Sequence, residues 1–356
     1  MNHYYQEVVN LLKDLIQTPS FSKDEEQTAH HIETFLKKYE VNTFKQGYNI
    51  WAANKHFSPE KITILLNSHH DTVKPVDGWT YDPFKATVED DKLIGLGSND
   101  AGGPLVSLMA TFLHFYAEEG LPFNLIFAAT AEEEISGKHG IASIIEHLGK
   151  IDLAIVGEPT SLNMAIAEKG LMVIDGIAEG QSGHAAREEG INALYIALED
   201  IDWIRKHRFE KTSDLLGPVK MSVTQIEAGY QHNVVPDKCT FVIDVRSNEC
   251  YSNVELHQIL EENCQSTLTA RSYRLNSSGI DPKHAIVKTG IAMGMNTYGS
   301  PTLSDQALMP FPSIKLGCGD SARSHTADEY ILLSEIEAGI NTYIQLLKQT
   351  DWKLSD

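Results

Sequence analysis

No stretch of this chain approaches the ~18 uncharged apolar residues that a membrane-spanning helix needs, so none is expected. Basic charge is scarce too. Lys and Arg number 29 against 49 Asp and Glu, a formal net charge of −20. A surface for nucleic acid or for anionic lipid needs a basic footprint, so neither partner is expected. Cysteine is equally sparse. Cys239, Cys250, Cys264 and Cys318 form no CxxC pair and no dense framework, which points to free thiols in a reducing cytoplasm. The opening "MNHYYQEVVNLLKDLIQTPS" lacks the basic start, unbroken apolar core and cleavage site of a secretory signal.

What remains is an ordinary globular composition, 42% hydrophobic and 22% charged. A chain of 356 residues exceeds what one core usually holds, so two domains are expected. Val8, Leu11, Leu12, Leu15 and Ile16 repeat at helical spacing, and a second amphipathic helix follows at roughly 25–38. "KITILL", "NLIFAAT" and "DLAIVGEPT" then read as buried strands, separated by helical segments through "PLVSLMATFLHFY" and near 138–148. This alternation predicts an α/β fold, a mostly parallel mixed sheet flanked by helices.

The middle of the chain has another rhythm. "KGLMVIDGIAEG", "VKMSVTQIEAG", "KCTFVIDVR" and "TLTARSYRL" read as strands. Two helices, in "INALYIALEDIDWIRKH" and "SNVELHQILEENCQS", interrupt them; the first places Leu194, Leu198, Ile201 and Ile204 near one face. The order βαββαβ predicts an inserted α+β ferredoxin-like two-layer lid domain at 167–277. Residues 1–166 and 278–356 would then form the catalytic domain, closed by helices in "IVKTGIAMGMN" and "LSEIEAGINTYIQLLKQ" around the strand "PSIKLGCG".

Ligand sites in such sheets gather at the carboxyl ends of strands. Three polar clusters stand there: "HHD" after the first strand, "EEE" after "NLIFAAT" and "GEPT" after the third. Adjacent glutamates at the end of a buried strand repel one another and resist desolvation, so a cation among them is a natural counterweight. Taken with Asp100 and His325, they form an imidazole and carboxylate set without thiolate, which suits zinc, cobalt or manganese. Two metals about 3.5–4 Å apart need a bridging carboxylate and terminal ligands on each side, and the set is large enough.

With these clusters in order, the chain resembles the dinuclear zinc metallopeptidase family of acetylornithine deacetylase, succinyl-diaminopimelate desuccinylase and glutamate carboxypeptidases. The matching elements are "SHHDTV", "GLGSNDAGG", "TAEEEIS", "VGEPTS", "SGHAA", "NVVPD", "DVR" and "GCGDSARSHTADEY", spread over nearly the whole chain. The resemblance implies two divalent ions per chain, zinc first. It makes His69 and Glu158 ligands of one metal, Glu134 and His325 ligands of the other, and Asp100 the bridge. Asp71 would orient His69, and Glu133 would be the general base. His184 in the lid would donate to the oxyanion, often across a homodimer formed through the lids. Asn233 and Arg246 match lid positions that contact substrate.

"GLGSNDAGG" also approximates a dinucleotide loop, but Asp100 replaces the final glycine of GxGxxG and would repel a pyrophosphate. The motif spacing looks closest to the acetylornithine deacetylase and desuccinylase branch, which deacylates amino acids in arginine or lysine biosynthesis. The expected reaction is removal of an acetyl or succinyl group from a small-molecule N-acyl amino acid such as an ornithine or citrulline derivative. Lys169 and Arg323 are candidate cations for a succinyl carboxylate. Succinyl-diaminopimelate desuccinylase, a dipeptidase or aminopeptidase, and a non-catalytic metal-binding protein are the alternatives.

Overall fold

The computed structural model describes residues 2–187 and 189–352. They divide into two compact units: 1–166 with 279–298 and 304–356, and 167–278 with 299–303. The short return of 299–303 to the second unit is a feature that the division read from sequence lacks.

The first unit opens with helices α1 (Tyr5–Ile16) and α2 (Glu26–Lys38). Strands β1 (Phe44–Gln46), β2 (Asn49–Ala53), β3 (Ile62–His69), β4 (Thr87–Glu89) and β5 (Lys92–Ile94) follow. Helix α3 (Gly103–Phe115) leads to strand β6 (Phe123–Thr130), a short helix α4 (Ile141–Ile144) and strand β7 (Leu153–Val156). Strand β8 (Met164–Glu168) carries the chain onward. The second unit contains β9 (Met172–Glu179), α5 (Ala193–Lys206), β10 (Lys220–Ala228), β11 (Lys238–Arg246), α6 (Asn253–Asn263) and β12 (Thr267–Ala270). After β13 (Ser278–Gly279) come α7 (Ala285–Ala292), β14 (Thr297–Ser300), β15 (Ser313–Lys315), β16 (Tyr330–Leu332) and α8 (Leu333–Gln349).

The main sheet runs β1-β2-β6-β3-β7-β15-β8-β13, with β14 on β8. Its centre is parallel: β3 pairs with both β6 and β7, and β7 with β15. Strands buried on both faces read as unbroken apolar runs, and β6 (FNLIFAAT) is buried at every position. Helix α3 is apolar almost all round, and 12 of its 13 residues are buried. The parallel register pairs His69 with Thr130 and Asn67 with Val156. The ends of β3, β6 and β7 are thus level, so the residues just beyond them share one edge.

The second unit has a four-stranded antiparallel sheet in the order β10-β11-β9-β12, with a helix between β9 and β10 and another between β11 and β12. Helix α5 buries Ala193, Ala197, Asp200 and Ile204, whereas Leu198 is 47% exposed. Of the face drawn from sequence only Leu198 departs: Ile204 is buried, and Leu194 and Ile201 pack against the core of this unit. Asp200 is buried beside that face because its carboxylate accepts the backbone N–H groups of Gln265 and Ser266 at 2.9 and 2.8 Å.

Candidate metal centre

Each carboxyl-end loop delivers its side chain through the strand before it. β3 ends on His69, β6 on Thr130 three residues before Glu133, and β7 on Val156 two residues before Glu158. Asp100 sits in a kinked turn ahead of α3, with non-helical φ −119° and ψ 98°. Gly97 opens that turn at φ +73°, and a Cβ there would lie 2.5 Å from Thr72. His325 follows the 3₁₀ turn Ser321–Arg323 and has φ +57°, a strained value for a non-glycine residue.

Asp100 lies between two imidazoles. Its Oδ1 is 3.4 Å from His69 Nε2, and its Oδ2 is 3.6 Å from His325 Nε2. Glu158 Oε1 lies 3.8 Å from His69 Nε2, and Glu134 Oε2 lies 3.0 Å from His325 Nε2. Donor atoms of His69, Asp100 and Glu134 come within 4.8 Å of one another, and so do those of His69, Glu133 and Glu158. Oxygen and imidazole donors in two groups that share His69, with one carboxylate facing both histidines, fit a pair of divalent cations. His69 Nδ1 donates to the backbone carbonyl of Asp71 at 2.9 Å, which leaves Nε2 as the atom facing Asp100 and the one that would hold a metal after losing its proton.

Asp71 does more than support His69. Its carboxylate is 3.5 Å from His69 Nδ1, a loose contact. It accepts the backbone N–H of Glu133 at 3.0 Å, that of Glu134 at 3.2 Å, and the Ser22 hydroxyl at 2.7 Å. One side chain therefore sets both the His69 loop and the two glutamates. Glu132 turns away at φ +54°, and its carboxylate holds the N–H of His139. His70 is separate again, between the Thr28 hydroxyl and the Tyr48 carbonyl, and burial pushes it down to about 4.

The electrostatics show a demand for positive charge. Burial, then the neighbouring acids, raises Glu133 well above the usual carboxylate range, and burial with Asp100 pushes Glu158 up to about 8. Burial opposes charge on His69, but Glu133, Asp100 and Asp71 overcome it and raise the imidazole. The bond to Glu134 raises His325 to about 9. Protons thus collect where cations would relieve the same repulsion.

Three residues near the centre escaped the sequence reading. Asp305 is buried, accepts the Thr130 hydroxyl at 2.7 Å, and is pushed up to about 7 by that burial. Lys315, buried on β15, pulls Glu158 the other way. Glu329, 2% exposed, accepts three backbone N–H groups of the Asp100 loop. Its only sequence signal is its place four residues after His325 in "SHTADEY".

The substrate candidates fare unevenly. Arg323 is not a free cation: it forms a two-pronged pair with Glu335 at 2.7 and 3.0 Å and lies over the Tyr330 ring. That guanidinium is paired within the fold. Arg246 forms a two-pronged pair with Asp244 at 2.8 and 3.0 Å. Lys169 Nζ donates to the Pro218 carbonyl at 3.1 Å, and burial, Lys220 and Arg246 lower its pKa. His184 Nδ1 accepts the N–H of Ala186 at 3.1 Å, so Nε2 carries the proton. Asn233 is exposed, and its carbonyl accepts the N–H of Ala185 at 3.0 Å.

Residues 65–349 match Peptidase family M20/M25/M40. A succinyl-diaminopimelate desuccinylase 2 of Ruegeria sp. (strain TM1040) is 24% identical, with 96% of this chain and 94% of that protein aligned. A succinyl-diaminopimelate desuccinylase of Rickettsia felis is 27% identical over 71% of this chain and 72% of its own. These relatives bear the name of the alternative activity rather than that of acetylornithine deacetylase. Among solved structures, an M20 family metallo-carboxypeptidase of Sulfolobus solfataricus superposes with a TM-score of 0.74 at 18% identity, covering 96% of this chain and 98% of that one. A dinuclear metal-binding M20 peptidase of Bacillus subtilis gives 0.73 at 16% identity, covering 97% of each chain.

Proposed function

Because the chain belongs to peptidase family M20/M25/M40, we propose that it hydrolyses the amide of an N-acyl amino acid at a pair of divalent metal ions, zinc first. The observation that carries this is the Asp100 carboxylate, one oxygen toward His69 and the other toward His325. His69 and Glu158 would hold one ion, Glu134 and His325 the other, with Asp100 between. When bound, the metals polarise the scissile carbonyl and acidify a water.

The chain's own groups do the rest. Glu133 takes a proton from the attacking water and passes it to the leaving amine nitrogen. Its carboxylate lies 3.8 Å from His69 Nε2, beside the atoms that would hold the metals, which suits both transfers. Asp71 keeps Glu133 in place through the backbone. His184, with its proton on Nε2, is the donor for the oxyanion, supplied by the partner chain of a homodimer. Exposed Tyr195 and Tyr230, 65% and 78% accessible, line one groove of the second unit and offer apolar area for such pairing.

For the acyl group we place succinyl ahead of acetyl. The named relatives are desuccinylases. Lys220 and Arg246 are also direct cross-strand neighbours, and both help to lower the pKa of Lys169, so three cations lie near one another, with Arg246 paired to Asp244. A substrate with two carboxylates would relieve that excess. The amine side is an ornithine, citrulline or diaminopimelate derivative. The test is a panel on metal-loaded protein: succinyl and acetyl forms of ornithine and citrulline, succinyl-diaminopimelate, and dipeptides. Turnover should favour succinyl compounds. Cleavage of dipeptides alone would overturn the reading, and a preference for acetyl compounds would reverse the acyl assignment.

A further inference from the structure

The Asp100 carboxylate can face two metals only if its backbone is fixed against the His325 loop. The 325–329 segment supplies the means. The β16–β5 pairing sets Tyr330 opposite Ile94, so Glu329 stands beside the turn that begins at Gly95. Its carbonyl accepts the N–H of Gly95 at 3.0 Å. Its side chain reaches on into the turn. Oε1 accepts from Asn99 N at 2.8 Å and Asp100 N at 2.9 Å, while Oε2 accepts from Gly97 N at 3.1 Å. Successive backbone N–H groups of this kind make an anion-binding nest, and here the protein fills it with its own carboxylate.

We propose that Glu329 is the positioning residue that holds the bridging carboxylate in register with His325, so that it sets the spacing of the two metal half-sites. This rests on the dinuclear reading above. A carboxylate is required because its two oxygens collect three donors. In Glu329→Gln one oxygen becomes an NH₂, and it meets an N–H of the loop, donor against donor. The neighbouring Asp328 anchors the same segment elsewhere, accepting from Thr80 N at 2.7 Å and Tyr81 N at 3.1 Å. It provides a control that loosens the segment without touching the nest.

The test titrates metal-free protein with cobalt(II), following visible absorption and heat, and measures kcat and KM after loading. Removing groups that orient metal ligands typically costs 10–100-fold in affinity. Glu329→Gln should therefore weaken binding of the second cobalt by about tenfold or more and shift the absorption bands. It should lower kcat while leaving KM within about twofold. Asp328→Asn should keep the bands and both affinities, whatever it does to melting. If Glu329→Gln does not fold, Glu329→Asp, one methylene short but still charged, should show the same weakening. Wild-type cobalt bands and affinities in the folded Glu variant, or equal losses in Asp328→Asn, overturn the proposal. Wild-type protein that takes up a single cobalt overturns the dinuclear reading and the proposal with it. Failure of the substrate panel alone leaves these readouts intact.

Discussion

Glu132, Glu133 and Glu134 are neighbours in sequence with three different surroundings. Glu133 and Glu134 are tied to Asp71 by their backbones, whereas Glu132 turns away to hold His139. Glu133→Gln should keep fold and metals and lower kcat by about 10²–10⁴, the usual range for a lost general base. Glu132→Gln should leave kcat within a few-fold, and steady-state kinetics on one acylated substrate distinguishes the two. Arg323 calls for the opposite experiment. Its pair with Glu335 is about four-fifths buried on the arginine side, so Arg323→Met should cost about 1–2 kcal/mol in denaturant unfolding. The succinyl-to-acetyl ratio should not move. A changed ratio at unchanged stability would return Arg323 to the substrate.

At the level of elements, long apolar runs were legible and short polar ones were not. β3 and β6 announced themselves because both faces are buried, and the site loops followed from their ends. The sheet of β16, β5 and β4 went unread as a unit, since each strand has three residues and β4 is largely exposed. The helix expected near 138–148 is four α-helical residues and a 3₁₀ turn. Helix α5 was recognised with its core face right at Leu194, Ile201 and Ile204 and wrong at Leu198, which is exposed while Asp200 is buried. Asp200→Ala should cost about 1–3 kcal/mol, since the buried N–H of Ser266 and the half-buried N–H of Gln265 lose their acceptor. Leu198→Ser should cost little, and melting curves of the two variants decide the point. The clustering of His69, Asp100, Glu134, Glu158 and His325 was legible through motif order; Glu329 and Asp305 were not, since their partners are backbone groups and a hydroxyl distant in sequence.

For the whole molecule, assembly and metal loading are the testable quantities. His184→Ala and Glu133→Gln proteins should each be nearly inactive. If His184 acts across a symmetric dimer, mixed dimers carry both lesions at one site and none at the other. Refolding equal amounts together should then restore about one quarter of wild-type activity, since half the dimers are mixed and half their sites intact. No recovery, or a fully active monomer by light scattering, removes the cross-chain role. Chelation should lower the melting temperature by several degrees, because a ligand at 100 times its Kd stabilises the folded state by about 2.7 kcal/mol. Calorimetry with and without chelator reads this directly.

The half-sites that meet at Asp100 have a consequence for how the chain comes off the ribosome. His69 emerges early and His325 some 256 residues later, yet they flank one carboxylate. At about 5–20 residues per second, roughly 10–50 s of synthesis separates them. For the last 167 residues of that interval, after Glu158 is made, the nascent chain can present His69, Asp100 and Glu158 as an incomplete chelate, open to whichever divalent ion the cell leaves free. The second ion has no complete pocket until β16 has paired with β5. On the proposed two-ion reading, the first ion is then taken up during translation and the second only after His325 is made. Pulse-labelled nascent chains, captured before and after residue 325, would show one ion and then two.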